Sequence, residues 1–246
     1  MGLLKNLQKV FKLSNSNIES LPKDFEEPHI KTFKKVQPFT MTSPERIYCL
    51  IEAVKYICQH KIEGDIVECG VWKGGSMLAV AETLVSQQIS DRKLLLYDTY
   101  EGMPEPTGYD QDFTGKDAEV ILNKNQNKEE NLVWAYSPLD TVQKTLLLST
   151  YNKENIRYIV GKVEDTIPKH IPEKIALLRL DTDWYESTKH ELIHLFPRLQ
   201  KGGVLIIDDY GFWKGARKAV DEYFAENNIP ILLNRIDDTG RIAIKF

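Results

Sequence analysis

Two stretches decide the fold: Ile175-Ala-Leu-Leu-Arg-Leu-Asp-Thr-Asp-Trp-Tyr-Glu186 and Gly202-Gly-Val-Leu-Ile-Ile-Asp-Asp-Tyr-Gly211. Each is a short apolar run that stops abruptly in acid, at Asp181 and Asp183 in the first and at Asp208 and Asp209 in the second. Uninterrupted apolar runs of this length read as strands buried on both faces, as in a parallel sheet covered by helices. Ligands of such sheets bind outside the carboxyl ends of the strands. If the two strands are neighbours, their carboxylates converge and repel. A hard divalent cation with oxygen ligands is the simplest remedy. Helix capping is the plainer reading, above all for Asp183 taken singly, because Asp is a favoured N-cap.

The same alternation of strand and helix extends upstream. Asp65–Gly70 reads as a first strand, followed by Val71-Trp72-Lys73-Gly74-Gly75-Ser76, a glycine-containing turn into a helix that runs to about Ser86. The spacing matches neither the dinucleotide fingerprint nor the P-loop. Lys93–Tyr97 is a second strand ending in Asp98, where nucleotide-binding sheets hold ribose hydroxyls. Ile156–Val160 is a third, ending in Gly161. Before the first strand, Ser43 is a suitable N-cap, Pro44 fits the first helical position and Glu45 suits the positive helix end. That helix runs to about His60. Downstream, a helix from Trp184 to about Leu199 separates the two acidic-ended strands, and Gly215–Asn227 forms the last helix. Ile231–Arg235 and Arg241–Phe246 then flank Asp237-Asp238-Thr239-Gly240 as an antiparallel hairpin. This terminal reversal is the mark of a methyltransferase-type sheet; a dinucleotide dehydrogenase sheet continues in parallel.

Length and composition agree with one sizeable domain. The chain has 246 residues, 42% of them hydrophobic, and a net charge of -4, which gives no electrostatic footprint for nucleic acid. Cys49, Cys58 and Cys69 form no C-x-x-C pair, so neither a disulfide framework nor a structural zinc site is expected, and a reducing cytoplasm is the expected setting. No apolar run approaches the roughly 20 residues of a membrane span. Residues 1–35 read as an amphipathic helix, with Leu3, Leu4, Leu7, Val10 and Phe11 on one face, and a polar connector. Residues 36–246 read as a single domain with a lid-like insertion at about 99–153. The aromatics Tyr100, Tyr109, Phe113, Trp134 and Tyr136 of that insertion are candidates for an organic pocket.

One motif competes. His190-Glu191-Leu192-Ile193-His194 matches the H-E-x-x-H of zinc peptidases. On this helix Tyr185, Thr188, Leu192, Leu195 and Phe196 form the buried stripe, which turns His190 and His194 toward solvent, and a catalytic zinc there would also need a third ligand and a substrate cleft. A zinc hydrolase is disfavoured.

Several segments together resemble the macrocin O-methyltransferase family, S-adenosylmethionine-dependent enzymes that methylate sugar hydroxyls. They are Glu68-Cys69-Gly70-Val71-Trp72-Lys73-Gly74-Gly75, Asp98-Thr99-Tyr100-Glu101-Gly102, Gly161 to Pro168, Leu178 to Thr188, Ile206 to Tyr210 and Arg235-Ile236-Asp237. The resemblance implies a Rossmann-like class I methyltransferase. Its sheet would be mostly parallel and seven-stranded, with helices on both faces and a C-terminal antiparallel hairpin. It implies Asp181, Asp208 and Asp209 as Mg²⁺ ligands; Asp181, at the edge of such a metal, is the first choice to take the acceptor proton. It implies a cofactor site made by Thr40, Met41, Glu68, Gly70, Val71, Trp72, Asp98, Gly102, Met103, Gly161 and Val163. The acceptor would be a small molecule, a sugar or glycosylated natural product, and the enzyme a homo-oligomer. A catechol-type acceptor, or a non-catalytic module that only binds an adenosyl ligand, are the alternatives.

Overall fold

The computed structural model describes residues 21–125 and 127–246; the expected N-terminal amphipathic helix lies outside them. Seven strands form one sheet: β1 (Asp65–Cys69), β2 (Leu94–Asp98), β3 (Ile156–Val160), β4 (Ile175–Leu180), β5 (Leu199–Ile207), β6 (Asn234–Arg235) and β7 (Arg241–Ile244). Their spatial order is β3-β2-β1-β4-β5-β7-β6. The first five are parallel, and only β7 and β6 run against their neighbours. The expected sheet is therefore present. Both arms of its hairpin are shorter than the sequence pattern suggests, two residues where Ile231–Arg235 was expected and four where Arg241–Phe246 was.

The helices are α1 (Glu27–Val36), α2 (Pro44–Gln59), α3 (Gly75–Ser86), α4 (Ala118–Asn123), α5 (Leu139–Leu146), α6 (Val163–Thr166), α7 (Tyr185–Leu195) and α8 (Lys214–Glu226). Strand residues alternate between two cores, as the period-2 geometry of a strand dictates. Ile66, Leu94, Leu96, Leu177 and Ile206 pack against α2, α3 and α5 through Val54, Ile57, Val80, Leu84 and Val142. Val67, Tyr97, Leu178, Leu180 and Leu205 face the other way, onto Leu192 and Leu195 of α7 and Val220 and Phe224 of α8. Covered on both faces, β4 is buried at all six positions. That is why it reads as an unbroken apolar run.

Helix α2 starts as its sequence predicts, with Ser43 Oγ accepting from Arg46 N at 3.2 Å. Helix α1 is a departure, because Asn15–Lys35 reads as a connector. Pro28 sits in its first turn, where proline costs nothing. Phe33 and Val36 enter an outer cluster with Ile47, Ile51 and Leu78. His29 Nε2 meets Glu52 of α2 at 2.8 Å. The apolar stripe was too sparse and the prolines too prominent for the pattern to show.

Helix α7 carries the competing motif. His190 and His194 lie side by side on its outer flank, ring centroids 4.4 Å apart, half-buried rather than turned fully to solvent. Glu191 points inward and is fully buried beneath Thr182, whose hydroxyl donates to it at 3.2 Å. Among the described residues, neither histidine belongs to a group able to hold a metal.

Candidate active site

All the parallel strands open at one edge, and the turns that follow β1, β2 and β4 are distorted there. Trp72, Tyr100 and Asp183 have φ of 47°, 55° and 71°. Non-glycine residues adopt this left-handed region only under constraint from their surroundings, and such strain gathers at functional sites. The glycines here serve close packing between protein segments. A Cβ on Gly70 would lie 2.1 Å from the Asp181 carbonyl oxygen, and one on Gly75 would lie 2.5 Å from that of Phe39. They let the turn after β4 and the segment before α2 press against β1 and α3.

Two adjoining halves of one cleft lie above these turns. The first encloses about 680 Å³, its mouth included, and is lined by Met41, Gly70, Val71, Trp72, Asp98, Gly102, Met103, Gly161 and Val163, among others. Nine of the eleven residues expected to hold a cofactor thus share one cavity. The other two do not line it. Thr40 lines the neighbouring half. Glu68 is wholly buried below, paired with Arg179 at 2.6 Å. Asp98 lines the cavity, but its carboxylate already accepts from Val71 N at 2.6 Å and Tyr100 N at 2.7 Å. It therefore also organises the turn after β1.

The second half encloses about 980 Å³, mouth included. Phe39, Ile121, Leu132, Val133, Phe212 and Trp213 supply its apolar wall. None of the five insertion aromatics proposed from sequence lines either half. Tyr100 is buried in the core, and Tyr109 instead packs at a tilt against Tyr185, ring centroids 4.7 Å apart. The insertion contributes through its aliphatic residues and is fastened to the body. Asp112 pairs with Trp213, and Asp110 Oδ1 accepts from Tyr185 N at 2.7 Å to cap α7.

Between the halves stand the strand-end acids. Asp181 and Asp183 line both. Asp181, Asp208 and Asp209 each offer an oxygen, and these oxygens lie within 4.8 Å of one another. The neighbouring-strand premise is met: β4 and β5 pair in parallel, with Leu180 opposite Ile207. Two arginines, absent from the sequence reading, hold the cluster. Arg179, buried on β4, reaches Glu68 at 2.6 Å, Asp181 at 2.8 Å and Asp208 Oδ1 at 2.6 Å. Arg46 of α2 pairs with Asp208 Oδ2 and, at 2.9 Å, with Asp237 of the hairpin turn. Each position carries a mark that could have exposed it. Arg179 interrupts an apolar run, and Arg46 places a cation in a helix's first turn, against the dipole.

The charges do not balance, and proton affinities record it. Burial drives Asp181 well above its ordinary value, against the pull of Arg179. Burial and the nearby Asp183 raise Asp209 likewise. Burial lifts Asp183 to about 7 and Glu68 to about 7. Asp208 is the exception: burial opposes its ionisation, yet Arg179 and Arg46 hold it below its ordinary value. Three carboxylate oxygens in one small volume, two of them on groups that resist ionising, are a donor set suited to a hard divalent cation. The backbone-lined first half, with an acid at the end of β2, suits an adenosyl ligand equally.

A seven-stranded, mostly parallel sheet with a closing antiparallel hairpin and a strand-end cleft defines a class I methyltransferase. The chain belongs to the macrocin O-methyltransferase family, whose model matches residues 12–244, and is an S-adenosylmethionine-dependent O-methyltransferase. It is 33% identical over 201 residues to a tetracenomycin rhamnosyl 4'-O-methyltransferase of Streptomyces olivaceus, covering 82% of this chain and 73% of that one. It is 32% identical over 201 residues to the mycinamicin III 3''-O-methyltransferase of Micromonospora griseorubida, covering 82% and 76%. The solved O-methyltransferase NovP superposes with a TM-score of 0.75 at 25% identity, covering 98% of each chain. No helix among the described residues is long and apolar enough to cross a membrane.

Proposed function

We propose that this enzyme transfers the methyl group of S-adenosylmethionine to a hydroxyl of a sugar in a glycosylated natural product, with Mg²⁺ held by Asp181, Asp208 and Asp209. The carrying observation is the convergence of these three carboxylates where the two halves adjoin, Asp181 lining both halves and Asp208 and Asp209 the second. The relatives named above, which act on sugar-bearing compounds, support the acceptor class.

The first half would hold the donor, with Asp98 to bind its ribose, Gly161 and Val163 to border its adenine and Met41 to cover its methionine end. The acceptor occupies the second. A divalent cation would supply Lewis acidity that lowers the pKa of a nearby hydroxyl. The residues do the remainder. Asp181 faces both halves and takes the hydroxyl proton as the new carbon–oxygen bond forms and the carbon–sulfur bond breaks. Trp72 and Val71, also common to both halves, would help to orient donor and acceptor toward each other; such pre-orientation is worth up to roughly 7–11 kcal/mol. Leu132, Val133 and Ala135 of the insertion close the cleft against water. The proposed setting is the cytoplasm, which suits the three free cysteines, and self-association is part of the same proposal.

The test is methyl transfer to a panel of glycosylated acceptors with Mg²⁺ and with excess chelator. Turnover of at least one glycoside that collapses in chelator is expected. Undiminished turnover in chelator would exclude the cation, and a panel untouched while a catechol is methylated would exclude the acceptor class.

A further inference from the structure

Asp208 is engaged on both of its oxygens, by Arg179 at Oδ1 and by Arg46 at Oδ2. The two arginines are not equivalent. Arg179 lies inside the sheet, 4% exposed, and is fixed by Glu68, Asp181 and Asp208 together. Arg46 comes from outside the sheet. It lines the acceptor half and also a cavity beneath the hairpin turn, where Asp237 and Thr239 face it. It has a second carboxylate within reach. Asp237 Oδ2 lies 2.9 Å from its Nε, without the alignment of a hydrogen bond. Asp237 itself is rigidly held. Its Oδ2 accepts from Ser43 Oγ at 2.7 Å and its Oδ1 from Gly240 N at 2.7 Å.

A divalent cation shared by Asp181, Asp208 and Asp209 needs an oxygen of Asp208 and repels a guanidinium placed on that same carboxylate. We propose that Arg46 is a positioning residue that competes with the divalent cation for Oδ2 of Asp208, and that Asp237 shifts the balance toward the cation by sharing the guanidinium. This rests on the reading of the three aspartates as cation ligands. Arg46 keeps the Asp208 carboxylate oriented when no cation is bound. It also ties Asp237 of the hairpin turn to the cation site, although Asp237 itself lines neither half of the cleft.

The experiment is calorimetric titration of Mg²⁺ into the full chain, without donor or acceptor, for the wild type, Arg46→Met, Arg46→Lys and Asp237→Asn. S-adenosylhomocysteine binding in the same samples reports that each is folded. Arg46→Met keeps the aliphatic stem that packs on Gly240 but removes the competitor, and should tighten Mg²⁺ at least fivefold. Arg46→Lys, which retains the charge, should stay within twofold of wild type. Asp237→Asn should weaken Mg²⁺ at least threefold. A merely structural role for Arg46 would loosen the cation rather than tighten it, so unchanged or weaker binding in a folded Arg46→Met overturns the proposal. If that variant fails to bind S-adenosylhomocysteine, Asp237→Asn decides, and wild-type Mg²⁺ affinity there overturns it. A wild type that binds S-adenosylhomocysteine but no Mg²⁺ removes both this proposal and the cation reading beneath it. That outcome differs from one in which Arg46→Met alone disobeys.

Discussion

The two halves of the cleft are built from different materials. The half we assign to the donor is shaped by backbone: three strand-end turns with left-handed residues, glycines in contact with carbonyls, and an Asp98 carboxylate that accepts from the turn after β1. The half we assign to the acceptor is shaped by side chains brought from far apart in sequence. Arg46 comes from α2, Ile121 and Leu132 from the insertion, Asp208 and Trp213 from the segment after β5, and Thr239 from the hairpin. Backbone shape survives side-chain substitution, whereas a wall of unrelated side chains does not. One enzyme can thus keep a fixed donor while its relatives differ in acceptor.

If the halves are separable, Asp181→Asn should have the largest effect on one and little on the other. Methyl transfer should fall about a thousandfold, while S-adenosylhomocysteine affinity, measured by calorimetry, stays within about threefold of wild type. A collapse of that affinity would show the halves to be one unit. Gly70→Ala attacks the donor half through its backbone. The added methyl would lie 2.1 Å from the Asp181 carbonyl oxygen, at a φ of +81°, and should cost about 3 kcal/mol in a urea melt. Gly108→Ala, with nothing within 4 Å of its Cβ, should stay within about 0.5 kcal/mol. Equal effects at the two glycines would discredit the packing argument.

The smallest effect is a pH dependence that belongs to the acids of the shared wall and the layer beneath it. Asp183 and Glu68 are raised by burial to about 7 in the fold. A raised acid stabilises the fold only while it remains neutral. Its contribution is complete below the unfolded value, roughly 4, and is lost as pH climbs through about 7. Asp208 and Asp237, held low, act in the opposite sense, and only at the acid end. The melting temperature of chelator-treated protein should therefore fall by a few degrees between about pH 4.5 and 7, and Asp183→Asn should flatten part of that fall. A midpoint that rises across this range would mean that the acids are neutralised by something other than protons.

Much of the sheet was legible because burial on both faces leaves a crude mark. β4 and β5 are apolar runs stopped by aspartate, and the aspartates converge because parallel neighbours end at the same edge. The donor half was legible for the same reason, since strand-end turns are local in sequence. Arg46 and Asp237 were not, being 191 positions apart and joined only by the fold. The insertion misled: its aromatics are prominent in sequence, yet the acceptor wall takes Leu132, Val133 and Ile121 from it and its large rings from Phe39, Phe212 and Trp213. Helix α1 hid because a helix that packs on other helices at the margin needs only a few apolar residues, here Phe33 and Val36.

Met41, Val71, Trp72, Ala135, Asp181 and Asp183 border both compartments. A bulkier side chain at any of them would narrow both compartments at once, whereas an isosteric one would leave both shapes intact. The outer rim is different, because Ile121, Leu132, Val133 and Phe212 touch only one compartment. A laboratory library aimed at new glycosides would do best to randomise those four and leave the partition alone.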